Sequence, residues 1–115
     1  MLILADQAAK ITFVSAGQFI AQESWVHPER VIDSIELIYV TQGPVYLEEE
    51  GSPALTARQG DLLLLQPRRR HRGTNPSPAG TAFYWVHFEL SDPDLLGQSG
   101  PLLANGEGTA LALLF

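Results

Sequence analysis

Residues 81–90 read "TAFYWVHFEL" and form the strongest β-strand pattern in the chain. Aromatic residues dominate the stretch, and turn-forming residues precede it in "GTNPSPAG" and follow it in "SDPD". Because neighbouring side chains of a strand point to opposite faces, Phe83, Trp85 and His87 share one face. That face mixes aromatic rings with a titratable group, which is typical of the lining of a small-molecule pocket.

Shorter strand patterns recur between turn signals through the rest of the chain, whereas helical periodicity is almost absent. We expect a turn at Ala16–Gly17 and a loop over "LLGQSGPLLANGEG" (residues 95–108). This spacing of short strands is typical of an all-β sandwich or barrel. The predicted strands are "ITFVS" (11–15), "QFIAQESWV" (18–26), "IELIYVTQ" (35–42), "VYLEEE" (45–50), "ALTAR" (54–58) and "DLLLLQ" (61–66).

The composition indicates one folded domain of 115 residues, with 45% hydrophobic and 17% charged residues. Its net charge of −6 argues against a nucleic-acid-binding domain, because phosphate affinity needs a broad positive surface. The chain contains no cysteine, which excludes disulfides, a thiolate metal site and a cysteine nucleophile. No apolar run approaches the ~20 residues that span a bilayer, and we expect a cytoplasmic protein without a membrane contact.

The strand "IELIYVTQ" carries a glutamate in an apolar setting. Glu36 shares one face with Ile38 and Val40, and it stands in the sequence between Ile35 and Leu37. Burying a carboxylate is costly unless it is paired, so Glu36 needs a partner or a function.

Three stretches, taken in order, resemble the N-terminal effector-binding domain of AraC-type transcriptional regulators. They are "HPERVIDSIELIYVTQG", "GDLLLLQP" followed by His71, and "FYWVHFEL", and the resemblance covers about residues 12–90. It implies an all-β, cupin-like double-stranded β-barrel (jelly roll) that binds a small effector, often a sugar. In the full regulator this barrel is joined to a C-terminal domain with two helix-turn-helix motifs, and no part of this chain resembles those motifs.

The resemblance also suggests how the chain is organised. We expect an N-terminal arm at residues 1–10, the effector-binding barrel at 11–92, and at 93–115 a loop that starts a truncated connection to an absent DNA-binding domain. The expected partners are a sugar-like effector, DNA only through the absent domain, and a second copy in a homodimer. The predicted function is effector sensing, without a cofactor or catalysis.

Carried over by position, the resemblance places the effector pocket on two strands and the segment before them. Residues near Ala16 and Gly17 match a further lining strand. Three of the pocket assignments have plain structural alternatives: core packing for Trp85, a satisfied buried histidine for His87, and an ion pair with Glu36 or Asp33 for Arg30. The predicted ligand-binding residues are Arg30, Glu36, Ile38, His71, Phe83, Trp85 and His87, with His71 at the pocket mouth.

The sequence departs from the family pattern at two positions. The family's turn before the histidine usually reads Pro-Gly-x-x-His, and here Arg68 replaces the glycine before His71. Phe83 stands where sugar-binding members can have a polar ring, so the preferred effector can differ from theirs.

A metal-dependent cupin enzyme, an isomerase or a dioxygenase, is the alternative function. The residues available to hold a metal are His27, Glu36, His71 and His87. Metal-binding cupins carry a His-x-His pair, which this chain lacks, so we expect no metal. A third possibility is a barrel that its own side chains fill, without a cavity.

The stretch "RRRHR" at residues 68–72 holds four of the six arginines. Three interpretations remain open, in decreasing order: a solvated pocket rim, a contact with the absent domain or a second subunit, and a site for an anionic effector.

Overall fold

The computed structural model describes residues 10–91 and the backbone of residues 102–105. These residues form strands and connections without a helix, so none of them belongs to a helix that could cross a membrane. The strands are β1 (Ile11–Ile20), β2 (Ile35–Gln42), β3 (Val45–Glu49), β4 (Leu55–Ala57), β5 (Asp61–Leu65), β6 (His71–Gly73), β7 (Ala82–Leu90) and β8 (Leu102–Asn105).

Two antiparallel sheets make up the fold. The larger sheet has the order β1-β7-β2-β5-β8 and the smaller one the order β4-β3-β6. Neighbouring strands are mostly distant in sequence, as expected for a jelly roll rather than a simple meander. The all-β, cupin-like prediction is confirmed.

The register between β2 and β7 places two predicted groups of side chains on one face of the sheet. One group contains Glu36 and Ile38, and the other contains Trp85 and His87. Glu36 lies opposite His87, and Ile38 lies opposite Trp85. Across the other edge of β7, Gly17 lies opposite Trp85. Residues that lie opposite each other in a sheet share a face, so these side chains all project from the same side.

Apolar side chains cover both faces of the larger sheet. The cluster on the inner face joins the two sheets and contains eight buried residues: Ile38, Val40, Val45, Leu47, Ala57, Leu63, Leu65 and Phe83. A second cluster lies on the outer face of the larger sheet and contains Ile35, Leu37, Leu62, Phe88 and Leu90. Alternate side chains of β2 and β7 therefore contribute to two apolar layers, one on each face of the larger sheet. The inner apolar layer ends where the polar residues Glu36 and His87 lie on the same face.

Four sequence predictions of local structure are wrong. The turn at Ala16–Gly17 is absent, since β1 runs through both residues as one strand of ten. The separate strand predicted over residues 18–26 is also absent, since β1 ends at Ile20. His71, which no predicted strand includes, begins strand β6, which pairs with β3. Residues 102–105, expected in a loop, form β8 and pair with β5. In each case a long-range strand partner, which local sequence does not reveal, decided the conformation.

The turn before His71 keeps its left-handed residue although the glycine is missing. Arg68 has a φ of 62°, the region that glycine normally occupies. Its backbone N–H donates to the carbonyl of Ile32 at 2.7 Å, which holds the turn in place. The predicted N-terminal arm (residues 1–10), except for residue 10, and most of the predicted connection (93–115) lie outside the described residues.

Candidate functional site

A cavity of about 270 Å³ opens over the polar end of the inner face of the larger sheet. Its walls come from β1, β2, β7 and the segment that links β1 to β2. The residues that line it are Phe19, Trp25, His27, Pro28, Arg30, Glu36, Phe83, Trp85 and His87.

One wall of the cavity is a cluster of aromatic rings. The ring centroids of Phe19 and Trp25 lie 4.4 Å apart, and those of Phe19 and Phe83 lie 5.2 Å apart. Trp85 continues the wall along β7, with its ring centroid 5.1 Å from that of His87. Tilted rings at these separations pack favourably and offer a rigid apolar surface.

The opposite end of the cavity centres on the buried carboxylate of Glu36. Its Oε1 lies 3.7 Å from Nη2 of Arg30 and 3.8 Å from Nε2 of His71. Its Oε2 lies 3.4 Å from Nε2 of His87. The first two distances exceed a hydrogen bond, so these groups retain capacity for a further polar partner. Glu36, which the sequence predicts to need a partner, therefore has three cationic or titratable neighbours, and they are Arg30, His71 and His87.

Burial sets the protonation states at this end of the cavity. It lowers the pKa of His27 and of His71 from near 6.5 to about 4, so both imidazoles are neutral at pH 7. Burial also raises the pKa of Glu36, while the nearby charges of His87 and Arg30 oppose that rise. The site therefore holds one carboxyl group whose charge depends on what lies beside it.

The structure brings together five of the seven predicted ligand-binding residues at the cavity surface. They are Arg30, Glu36, Phe83, Trp85 and His87. Ile38 is fully buried in the inner core, between Trp85 and Leu63 on the adjoining strands. His71 is also fully buried, behind Glu36, so its predicted position at the pocket mouth is wrong. His71 lies beneath the cavity because it belongs to strand β6, where its backbone pairs with those of Glu49 and Arg30.

The predicted ligand-binding residues did not include four of the lining residues. Trp25, at the end of the strand predicted over 18–26, His27, considered only as a metal ligand, and Pro28 lie in "WVHPER", and only the fold places this segment over the sheet. Phe19 had a usable signal, since it lies two positions beyond Gly17 on the same face of β1.

The arginine cluster is largely neutralised by acidic neighbours. Nε of Arg72 lies 3.0 Å from Glu48, and Nη1 of Arg69 lies 3.8 Å from the buried Glu49. Arg70 lies 3.7 Å from Glu29. The run of glutamates in β3 faces the run of arginines across the sheet, which supports the expectation that this stretch is not a nucleic-acid surface.

Three of the four residues considered for a metal site come together. A ligand atom from each of His27, Glu36 and His71 lies within 4.8 Å of the other two, and all three residues are buried. His87 approaches the other oxygen of Glu36. The expectation of no metal rested on the missing His-x-His pair, and the fold supplies the second histidine from a different strand.

A cupin-like sandwich with an aromatic-walled, charged cavity defines a class of small ligand-binding β domains. Residues 13–109 match the family model of the AraC-like ligand-binding domain. The chain therefore belongs to the AraC-like ligand-binding domain family, and the family predicted from the sequence is confirmed.

Among curated proteins, the chain is similar to the uncharacterized HTH-type transcriptional regulator YisR of Bacillus subtilis (strain 168). The two are 35% identical over 77 residues, which cover 67% of this chain and 26% of YisR. The chain thus spans about a quarter of the length of that regulator.

Solved structures with the same fold include ToxT and a protein named for an enzyme. ToxT of Vibrio cholerae, bound to an unsaturated fatty acid, has a TM-score of 0.51 at 12% identity, covering 92% of this chain and 44% of ToxT. A protein of Ralstonia eutropha JMP134, named provisionally as a mannose-6-phosphate isomerase, has a TM-score of 0.52 at 18% identity. That match covers 76% of this chain and 94% of the other. At these identities the likeness concerns the fold alone.

Proposed function

We propose that this domain senses a small polar effector, a sugar or sugar derivative, which binds in the cavity over the inner face of the larger sheet. The observation that carries the proposal is the division of the cavity into an aromatic wall and a charged end around Glu36. A sugar ring presents an apolar C–H face and pairs of hydroxyls, and these match an aromatic surface and planar hydrogen-bonding groups.

The size and the charge of the cavity support a small ligand. A volume of about 270 Å³ lies just below the usual range for ligand pockets, which is roughly 300–1,000 Å³, so the cavity suits a small ligand. Arg30, Glu36 and His87 supply donors and acceptors at one end, at separations that leave room for a bridging hydroxyl. Arg30, Glu36, Phe83, Trp85 and His87 are therefore proposed as ligand contacts, whereas Ile38 and His71 support them from behind.

In the full regulator, effector binding would control a helix-turn-helix DNA-binding domain in the cytoplasm. This part of the proposal rests on the similarity to an HTH-type regulator, of which this chain spans a quarter. The effector acts by binding one arrangement of the domains more tightly than another, because only differential affinity can shift such an equilibrium. A homodimer of the full regulator and an N-terminal arm belong to the same proposal.

Binding without catalysis is the better supported function. The family match is to a ligand-binding domain of regulators, and the isomerase-named protein shares the fold at low identity. The small metal-dependent enzyme remains the alternative, with the buried histidines and Glu36 as its residues.

Tryptophan fluorescence provides a direct test, since both tryptophans of the chain line the cavity. The chelator-treated chain is titrated with monosaccharides, sugar acids and unsaturated fatty acids, and its melting temperature is followed in parallel. At one hundred times its dissociation constant, a true ligand adds about 2.7 kcal/mol of stability. A response confined to sugars or sugar acids supports the proposal, and a response confined to fatty acids overturns the sugar assignment.

Two substitutions and a matched control locate the binding. Arg30→Met and Glu36→Gln each remove a charged hydrogen-bonding group, and we expect at least tenfold weaker binding, the equivalent of about 1.4 kcal/mol. Arg58→Met is the control, because Arg58 is exposed and does not line the cavity. If Arg30→Met and Glu36→Gln bound the ligand as tightly as Arg58→Met and the wild type, the ligand would lie elsewhere and the cavity assignment would be overturned.

A further inference from the structure

Three buried ionisable side chains meet beneath the proposed effector cavity. His27 comes from the segment between β1 and β2, Glu36 from β2, and His71 from β6. Their exposed fractions are 4%, 2% and 0%, and one donor atom of each lies within 4.8 Å of the others. Three separate parts of the fold therefore converge on one point that water barely reaches.

The orientation of His27 suits a ligand of a metal ion. Its Nδ1 lies 2.8 Å from the carbonyl oxygen of Pro28, to which a protonated Nδ1 donates. That hydrogen bond leaves Nε2 as the nitrogen with a free lone pair. Histidines that bind metals usually donate their other N–H to a carbonyl or carboxylate in this way, which fixes the ring and the tautomer.

Polar atoms of the cluster lack partners. Within the described part of the chain, Oε1 of Glu36 and both ring nitrogens of His71 make no hydrogen bond. Buried polar groups are rarely left unsatisfied, so such a concentration calls for a missing partner.

We propose that His27, Glu36 and His71 bind one divalent first-row transition-metal ion of the zinc type at the floor of the cavity. Two imidazole nitrogens and one carboxylate oxygen suit zinc, iron or nickel, whereas magnesium and calcium prefer oxygen ligands alone. Zinc sites are usually tetrahedral with ligands at about 2.0–2.2 Å from the ion, so the ligand atoms of one site lie roughly 3.3–3.6 Å apart. The separation of 3.8 Å between Glu36 and His71 is close to this spacing, and the rest of the set, within 4.8 Å, would move closer together around an ion.

The ion would keep a coordination position open toward the cavity. His27 and Glu36 also line the cavity, whereas His71 closes the site from behind. Arg30 competes for the same oxygen of Glu36 at 3.7 Å, but its side chain is 41% exposed and can move aside. The ion site does not depend on the identity of the effector, although a bound effector could contribute a ligand through the open position.

Titration of the chelator-stripped 115-residue chain with Zn²⁺ and Co²⁺ tests the inference directly. We expect one ion per chain by calorimetry, a visible absorption band of the Co²⁺ complex, and a rise in melting temperature that chelator reverses. Mg²⁺ should produce no rise. Absence of stoichiometric Zn²⁺ and Co²⁺ binding would overturn the proposal.

Variants separate this site from adventitious binding. Glu36→Gln and His71→Gln should each weaken Zn²⁺ binding by about a hundredfold or more. Glu49→Gln is the matched control, since Glu49 is an equally buried carboxylate that lies beside Arg69 and outside the cluster. Zn²⁺ binding that Glu36→Gln and His71→Gln leave unchanged, or that Glu49→Gln weakens equally, would overturn the assignment.

A third substitution works without removing a ligand. Arg30→Met removes a cation that competes for Glu36, and we expect tighter Zn²⁺ binding in a chain that keeps all three ligands. Weaker binding would contradict the proposed ligand set. The two proposals can also fail separately: Zn²⁺ binding without any sugar response refutes only the effector, and a sugar response in a stripped chain that never binds Zn²⁺ refutes only the ion site.

Discussion

At two positions in this domain, Gly17 and Arg68, the presence or absence of a side chain has a predictable effect on folding stability. Gly17 lies in the middle of β1, where glycine weakens a strand, and its place opposite Trp85 explains it. A Cβ atom at Gly17 would lie 2.6 Å from Cζ2 of Trp85, well inside van der Waals contact. Gly17, which resembles a turn signal in the sequence, therefore leaves the space in which the indole ring of Trp85 packs beside the cavity.

We expect Gly17→Ala to destabilise the domain by about 1–3 kcal/mol, because Trp85 must shift from its packed position. Urea unfolding measures the loss, and altered tryptophan fluorescence of the folded state reports the shift of the ring. Ala16→Val is the control on the same strand, since Ala16 is exposed and faces the other way. It should change stability by no more than about 0.5 kcal/mol, and an equal loss in both variants would refute the packing argument.

Arg68 is a second such residue, because its φ of 62° is unfavourable for any side chain with a Cβ atom. Arg68→Gly should stabilise the domain by about 0.5–1 kcal/mol, after allowance for the greater freedom of glycine in the unfolded chain. Arg70→Gly, two residues later and also exposed, should instead destabilise it. Denaturant midpoints of the two variants that move in the same direction would contradict this interpretation of the turn.

Among the strands, β5 has apolar residues on both of its faces, and its pairing decides which of them is buried in the core between the sheets. "DLLLL" offers no alternation in the sequence, yet Leu63 is fully buried in the core between the sheets, whereas Leu64 is partly buried on the outer face. Its pairing with β2 decides this, since Leu63 lies opposite Ile38 and Leu64 lies opposite Leu37. A strand with apolar residues on both faces takes its register from its neighbours.

Leu63→Ala should therefore cost about 2–5 kcal/mol of unfolding free energy, through lost burial and the cavity that it leaves. Leu64→Ala, the adjacent residue of the same type, should cost about 1 kcal/mol. Equilibrium urea unfolding of both variants gives the comparison. Similar losses at the two positions would mean that the outer face is as tightly packed as the inner one.

For the whole molecule, the buried histidines couple stability to pH. The pKa of His27 and of His71 is about 4 in the folded chain and near 6.5 when exposed, so the unfolded chain binds more protons between these values. Stability should thus fall as pH falls through this window, by up to about 1.4 kcal/mol per pH unit for each histidine. The carboxyls of Glu36 and Glu49 act with the opposite sign, because their raised pKa values favour the folded state as pH falls.

The histidine contribution is measured as a difference between two proteins. Chelator-treated wild type and His71→Gln are unfolded with urea at several pH values from 7 to 4. We expect the variant to lose less stability on acidification, because one of the two depressed histidines is gone. Parallel pH profiles of the two proteins would show that His71 does not titrate as its burial requires.

The sequence determined the fold class, because its strand pattern and its resemblance to regulators of the AraC type are properties of local stretches. Alternation alone grouped Phe83, Trp85 and His87 on one face of their strand and set Glu36 on the same face as Ile38, and the sheet register agrees with both groupings. The sequence also excluded disulfides, because it contains no cysteine, and its net charge of −6 argued against a nucleic-acid surface.

Only the tertiary structure decided which distant residues meet. Pairing of β6 with β3 places His71, predicted at the pocket mouth, on the buried side of Glu36, and the segment before β2 places His27 at the same point. Neither residue carries a local signal of its position, because neither belongs to a periodic stretch. Alternation within a strand is a local property, whereas convergence of separate segments depends on long-range pairing and on the burial that follows from it.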